Sequence, residues 1–156
     1  MKKLSNPLPK YIIVLIVFFV VFQLFIPMVY IVDGDSMYPT YKDGQITIVD
    51  YYGVDKEYKN GDVVVIENLS QRTKMIKRII GCGGDHVVIK DNQLYVNDVL
   101  LEEDYLYEPM INQDMDFIIQ EGKYFVLGDN RNNSIDSRKL GLIDKEDIVG
   151  KVTDVF

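Results

Sequence analysis

The chain has 156 residues, 47% of them apolar and 26% charged, with a net charge of −7. That composition supplies a core and excludes a disordered chain. One cysteine and one histidine exclude an intramolecular disulfide framework, a cysteine-based zinc site and a multi-histidine metal centre. A pI near 4.7 argues against a nucleic-acid partner, which calls for a basic face.

The charge is unevenly distributed. Lys2, Lys3 and Lys10 precede a 22-residue stretch, Tyr11 to Val32, that holds no charge at all. As one helix it would span roughly 33 Å, enough for a bilayer core of about 30 Å. Gln23 and Pro27 are its only interruptions, and Tyr11 and Tyr30 stand near its ends, where aromatic belts form. All 24 acidic residues and 14 of the 17 basic ones follow, a net −10. The expected layout is therefore a cytoplasmic N-terminus (1–10), a transmembrane anchor (11–32) and an extracytoplasmic domain (33–156), oriented by the positive-inside rule. A cleaved signal peptide fits poorly, because the apolar run is too long and the chain contains no alanine for a small-x-small cleavage site. A buried core helix would need a larger domain around it than the following 124 residues provide.

Beyond the anchor the pattern is β. Ile46–Val49, Val63–Ile66, His86–Ile89 and Tyr124–Leu127 are short runs of β-branched and aromatic residues. Leu94–Val96 and Val99–Leu101 flank Asn97-Asp98, a tight-turn pair. Ile148–Val155 reads as a closing strand. The acidic segment from Glu102 to Gln120 reads as a long loop, and no helical period is visible after the anchor.

Three clusters carry candidate chemistry: 33–40 (DGDSMYPT), 77–85 (KRIIGCGGD) and 128–138 (GDNRNNSIDSR). Ser36 reads either as a turn serine or as a nucleophile. Four residues beyond the apolar run, it would lie within roughly 13 Å of the membrane end of the anchor. Lys77 reads as a solvated strand lysine or as a base. If Thr73–Ile80 is a strand, Lys77 shares a face with Met75 and Ile79, and apolar neighbours lower a lysine pKa. A neutral amine can activate a serine, as in Ser-Lys variants of the catalytic triad. His86 is the other possible base for a serine, although its place at a turn reads as surface. A Cys82–His86 pair has no evident attacking geometry across Gly83-Gly84.

Taken together, GDSMYPT (34–40), NGDVVVI (60–66), KRIIGCGGD (77–85) and GDNRNNSIDSR (128–138), in this order behind an apolar N-terminus, resemble the type I signal peptidases of the short Gram-positive kind. The resemblance implies a mostly β fold: an N-terminal transmembrane helix followed by an antiparallel, partly barrel-like β domain. It implies Ser36 as nucleophile, Lys77 as general base, and Ser134 as the residue that orients the lysine. It implies an Asp136–Arg138 ion pair behind the site, with Asp129 and Arg131 holding the same loop. The Ser36 backbone N–H would bind the oxyanion. Gly34 stands where many members carry a serine that completes that hole, and Cys82-Gly83 replaces the usual Leu-Pro. Val32, Met37, Val65 and Ile76 match positions lining shallow pockets for small residues at −1 and −3. The implied partners are signal peptides of exported preproteins, the lipid bilayer and the secretion translocon. No metal or organic cofactor is implied. Two other readings of such a chain are a non-catalytic pilus-assembly or chaperone factor, which would have lost the serine or the lysine, and a LexA-like self-cleaving regulator, which would need an Ala-Gly dipeptide.

Overall fold

A computed structural model describes residues 9–23, 28–50, 57–68, 73–111 and 114–156. Its first element is helix α1 (Lys10–Gln23). Among the described residues eleven strands follow: β1 (Met28–Ile31), β2 (Ile46–Asp50), β3 (Val63–Asn68), β4 (Thr73–Cys82), β5 (His86–Lys90), β6 (Gln93–Val96), β7 (Val99–Leu100), β8 (Met115–Ile118), β9 (Lys123–Leu127), β10 (Ile143–Asp144) and β11 (Ile148–Val155). A single helical turn, α2 (Ser137–Leu140), and two short 3₁₀ turns sit between β9 and β11.

The strands form two antiparallel sheets, one of seven strands in the order β1-β2-β11-β3-β4-β9-β10 and one of four in the order β7-β6-β5-β8. Register shifts interrupt β11 on both flanks and the β4–β9 ladder. Each bulge bends its strand, and together they curl the larger sheet into a half-barrel. One core cluster, built on Met37, Val49, Val63, Val65 and Val152, lies against one part of this sheet. A second gathers Val64, Ile66, Ile79 and Val126. A third, with Ile80, Val87, Ile89, Phe125 and Leu127, joins the two sheets. Val64 and Val65 alternate between the first two clusters, as adjacent side chains on a strand must.

The strands expected over 46–49, 63–66, 73–80, 86–89, 124–127 and 148–155 are present. So is the 94–101 hairpin, whose Asn97 and Asp98 both take positive φ (52° and 65°). Two expectations are corrected. A single helix over 11–32 is not formed: α1 has 14 residues, about 21 Å, and no described helix is long and apolar enough to cross a membrane. The end of the apolar run is instead β1, whose residues Met28–Ile31 pair with Ile46–Val49, so the sheet begins at Met28 rather than Asp33. A ladder with β2 and packing of Tyr30 on the first cluster win over helix continuation. The second correction is β8 inside the expected loop of 102–120, which pairs with β5.

Candidate active site

The Ser36 loop joins β1 to β2 and is pinned from three sides. Met37 is driven into the first core cluster at 1% exposure. The Ser36 carbonyl accepts the Asn130 backbone N–H at 3.1 Å, and the Asp35 carbonyl accepts Asn130 Nδ2 at 3.1 Å. Gly34 has φ +81°, a conformation that disfavours any side chain, and its N–H is committed to Asp43 Oδ1 at 2.8 Å. Gly34 thus offers neither a hydroxyl nor its own N–H to a developing oxyanion.

Lys77 lies in the middle of β4 opposite Val64, and only 2% of it is exposed. Its Nζ donates to Ser36 Oγ at 2.9 Å and to the Ile76 carbonyl at 2.8 Å. Burial lowers its pKa from 10.5 to about 8, while the charges of Asp136 and Asp129 oppose the shift more weakly. An amine with that pKa is partly neutral at physiological pH and can accept a hydroxyl proton. Serine and lysine, 41 positions apart, are therefore in hydrogen-bond contact.

The 128–138 loop runs behind the pair. Gly128 must be glycine, because a Cβ there would collide with Ser134 Oγ and the Ser36 carbonyl. Ser134 Oγ is buried and makes no hydrogen bond of good geometry, although it lies close enough to Asp136 to favour that carboxylate. The two partners of Lys77 Nζ are Ser36 and Ile76, so the expected Ser134–Lys77 contact is not formed in this state. Asp136 and Arg138 form a two-pronged pair, with Nε on Oδ1 and Nη2 on Oδ2, both 2.8 Å. Asp136 Oδ2 also accepts the Gly128 N–H at 3.0 Å. Burial would raise the Asp136 pKa, but the Arg138 and Gly128 hydrogen bonds outweigh it and hold the carboxyl below its usual range.

Asp129 and Arg131 hold the loop through different partners. Asp129, fully buried, takes both prongs of Arg78 (2.8 and 2.7 Å) and the Thr40 hydroxyl (2.5 Å). Arg131 donates to the Gly128 carbonyl at 3.0 Å and forks onto Glu103. Tyr105 donates to Glu103 at 2.8 Å and lies beneath Arg78, 4.1 Å from guanidinium carbon to ring centroid. The acidic 102–109 segment therefore straps the site from outside. Arg78, Thr40, Asn130, Glu103 and Tyr105 escaped the sequence reading. Thr40, Arg78 and Asn130 stood inside the singled-out clusters and were within reach of it.

The dyad opens onto a cleft of about 240 Å³ lined by Tyr30, Val32, Met37, Val65, Lys74 and Ile76 among others. All four expected pocket residues are in that lining. β1, the outermost strand of its sheet, bounds one side and the first half of β4 the other, since β9 joins β4 only from Arg78 onward.

The two alternative nucleophile–base assignments are not assembled. His86 is on β5 in the smaller sheet, its ring bonded to Asp116 at 2.7 Å, which raises its pKa. The Cys82 thiol bonds to the Tyr58 carbonyl and Asn60 Oδ1, and burial pushes its pKa up to about 11.

Residues 7–156 match the family described as signal peptidase, peptidase S26. Signal peptidase I of Bacillus licheniformis is 40% identical over 162 aligned residues, covering 94% of this chain and 86% of that protein. Signal peptidase IB of Staphylococcus aureus is 38% identical, covering 83% of this chain and 77% of the relative. Among solved structures, a signal peptidase I from Enterococcus faecalis superposes with a TM-score of 0.57 at 33% identity, covering 63% of this chain and 98% of that one. With its curled antiparallel sheet and its sequence matched nearly end to end, the chain belongs to the peptidase S26 family and is a protease of the signal peptidase I type.

Proposed function

We propose that the protein is a membrane-anchored serine endopeptidase that removes N-terminal signal peptides from exported preproteins, cutting after small residues of the Ala-x-Ala type. The observation that carries this reading is the 2.9 Å contact between Ser36 Oγ and the desolvated Lys77 amine at the end of an apolar cleft. A protein that only binds peptides has no use for a lysine held near neutrality.

Ser36 Oγ attacks the carbonyl carbon of the residue at −1 as Lys77 Nζ takes the hydroxyl proton. The oxyanion faces the Ser36 backbone N–H, which makes no hydrogen bond among the described residues. Lys77 then returns the proton to the leaving amine nitrogen and breaks the peptide bond. Water attacks the acyl-serine by the same route in reverse, with Lys77 again the base. No cofactor is needed. The peptide lies extended between β1 and the first half of β4, contributing a strand between them. Side chains at −1 and −3 point toward Val32, Met37, Val65 and Ile76, where little space favours alanine.

Anchoring rests on the N-terminal segment. The described side chains of α1 are almost all exposed and apolar, with Val14 and Phe18 each at 66%. An exposed apolar helix behind three lysines suits a bilayer, with its basic flank in the cytoplasm. Holding enzyme and signal peptide on one surface raises their effective concentration.

Purified full-length protein in detergent, incubated with a preprotein ending its leader in Ala-x-Ala, yields a mature N-terminus immediately after the second alanine by mass spectrometry. An intact preprotein, or a cut elsewhere, contradicts the reading. In intact spheroplasts, added protease digests the chain from Asp33 onward; a protected domain reverses the assigned orientation.

A further inference from the structure

Two buried carboxylates act on Lys77. Burial lowers the pKa of its amine, and Asp136 and then Asp129 oppose that shift. Each carboxylate carries a forked arginine. Arg138 takes both oxygens of Asp136, and Arg78 takes both oxygens of Asp129. An unpaired carboxylate in either place would favour the protonated amine, which is no base. Lys77 therefore depends on both guanidiniums staying where they are.

Arg78 follows Lys77 in β4, so its side chain leaves the opposite face of the strand. There it makes two hydrogen bonds to Asp129 and a third, from Nη1, to the Gly61 carbonyl at 3.0 Å. Guanidinium donors all lie in one plane, so these bonds leave its flat faces unused. The Tyr105 ring meets one of them, 4.1 Å from Cζ to the ring centroid. A cation is drawn to the electron-rich face of such a ring. The ring is itself anchored. Its hydroxyl donates to Glu103 at 2.8 Å, and Glu103 accepts the fork of Arg131. Arg131 and Asp129 belong to the same loop, so the ring and the carboxylate that hold Arg78 share one support.

We infer that Tyr105 is a positioning residue for the dyad: its ring face holds the Arg78 guanidinium on Asp129, so that Lys77 faces no unpaired carboxylate. The inference rests on the peptidase reading given above. Asp129 also accepts the Thr40 hydroxyl, so a guanidinium that drifts from it loosens the Ser36 loop as well. Tyr105 does not act as an acid or base. Burial raises the pKa of Tyr105 and of Tyr41, the other tyrosine facing the Arg78–Asp129 pair, so both phenols stay protonated where Lys77 titrates. Glu103 is committed to Arg131 and Tyr105.

The test is the pH profile of kcat/KM for the full chain in detergent, on an Ala-x-Ala preprotein, with KM read separately. In Tyr105→Leu the rising limb moves up by about half a pH unit, less than the roughly 1–3 units of a direct ion pair, because Asp129 does not touch Lys77. That is about a threefold loss below the limb. KM and the plateau above the limb match the wild type. Tyr105→Phe keeps the ring face and the wild-type limb. A merely structural role would lower the whole profile evenly and leave its midpoint in place. Replacing Tyr105 by pentafluorophenylalanine keeps the ring shape but removes its electron-rich face. It shifts the limb as leucine does, and it decides the matter if Tyr105→Leu does not fold. An unmoved limb in either folded variant, or an equal shift in Tyr105→Phe, overturns the role of Tyr105 and leaves the peptidase intact. Failure of the wild type to cleave overturns the peptidase reading, and this inference with it.

Discussion

Ser36→Ala and Lys77→Ala each lower kcat/KM for an Ala-x-Ala preprotein by at least about 10⁴-fold, since nucleophile and base act as one unit. The Ser36→Ala/Lys77→Ala double variant is no more than a few-fold worse than either single one. Once the hydroxyl is gone, the amine has nothing to deprotonate; once the amine is gone, the hydroxyl remains a weak nucleophile. Lys77→Arg is equally inactive, because a guanidinium stays protonated at every usable pH. Burst and steady-state assays on the purified variants measure all four. Independent, multiplicative losses would mean that the 2.9 Å contact is not the catalytic pair.

Asp129→Ala lowers the free energy of unfolding by about 3–5 kcal/mol, the range for removing one partner of a buried ion pair. Asp129 has no exposed surface, and the Arg78 side chain retains 12%. Burial alone would lower the Arg78 pKa, but hydrogen bonding and charge from Asp129 raise it, so the pair is matched only while both members are present. Losing the carboxylate strands the guanidinium and frees the Thr40 hydroxyl together. Thr40→Val removes one hydrogen bond and costs only about 1 kcal/mol. Denaturant midpoints give both values. Asp129→Ala at the cost of Thr40→Val would show that the ion pair carries no structural weight. Arg78 is next to Lys77 and Thr40 is four residues beyond Ser36, so the same pair ties the two halves of the dyad to the 128–138 loop.

Much of the β domain was legible because its strands are short runs of β-branched residues bounded by Gly, Asn and Asp. Lys77 was legible as unusual because its strand neighbours are apolar. β1 was hidden because a continuous apolar run reads the same way as a helix or as a strand, and length favoured the helix. Pro27, one residue before β1, was the available stop signal. β8 was hidden in the acidic segment since only Met115 and Phe117 of its four residues turn inward, too short an alternation to register. The strap of Glu103 and Tyr105 on Arg131 and Arg78 joins residues more than 25 positions apart and left no local pattern.

Lysine as the base is the central claim, and the pH dependence of kcat/KM tests it most directly. Burial depresses the Lys77 pKa, and the active form is the deprotonated amine, so activity is low below the pKa and rises through it. The profile of the wild-type protein has its rising limb near pH 8, the value to which burial lowers the Lys77 amine, and His86→Gln leaves that limb in place. A rising limb at about 6.5, the ordinary histidine range, that disappears in His86→Gln would contradict the account.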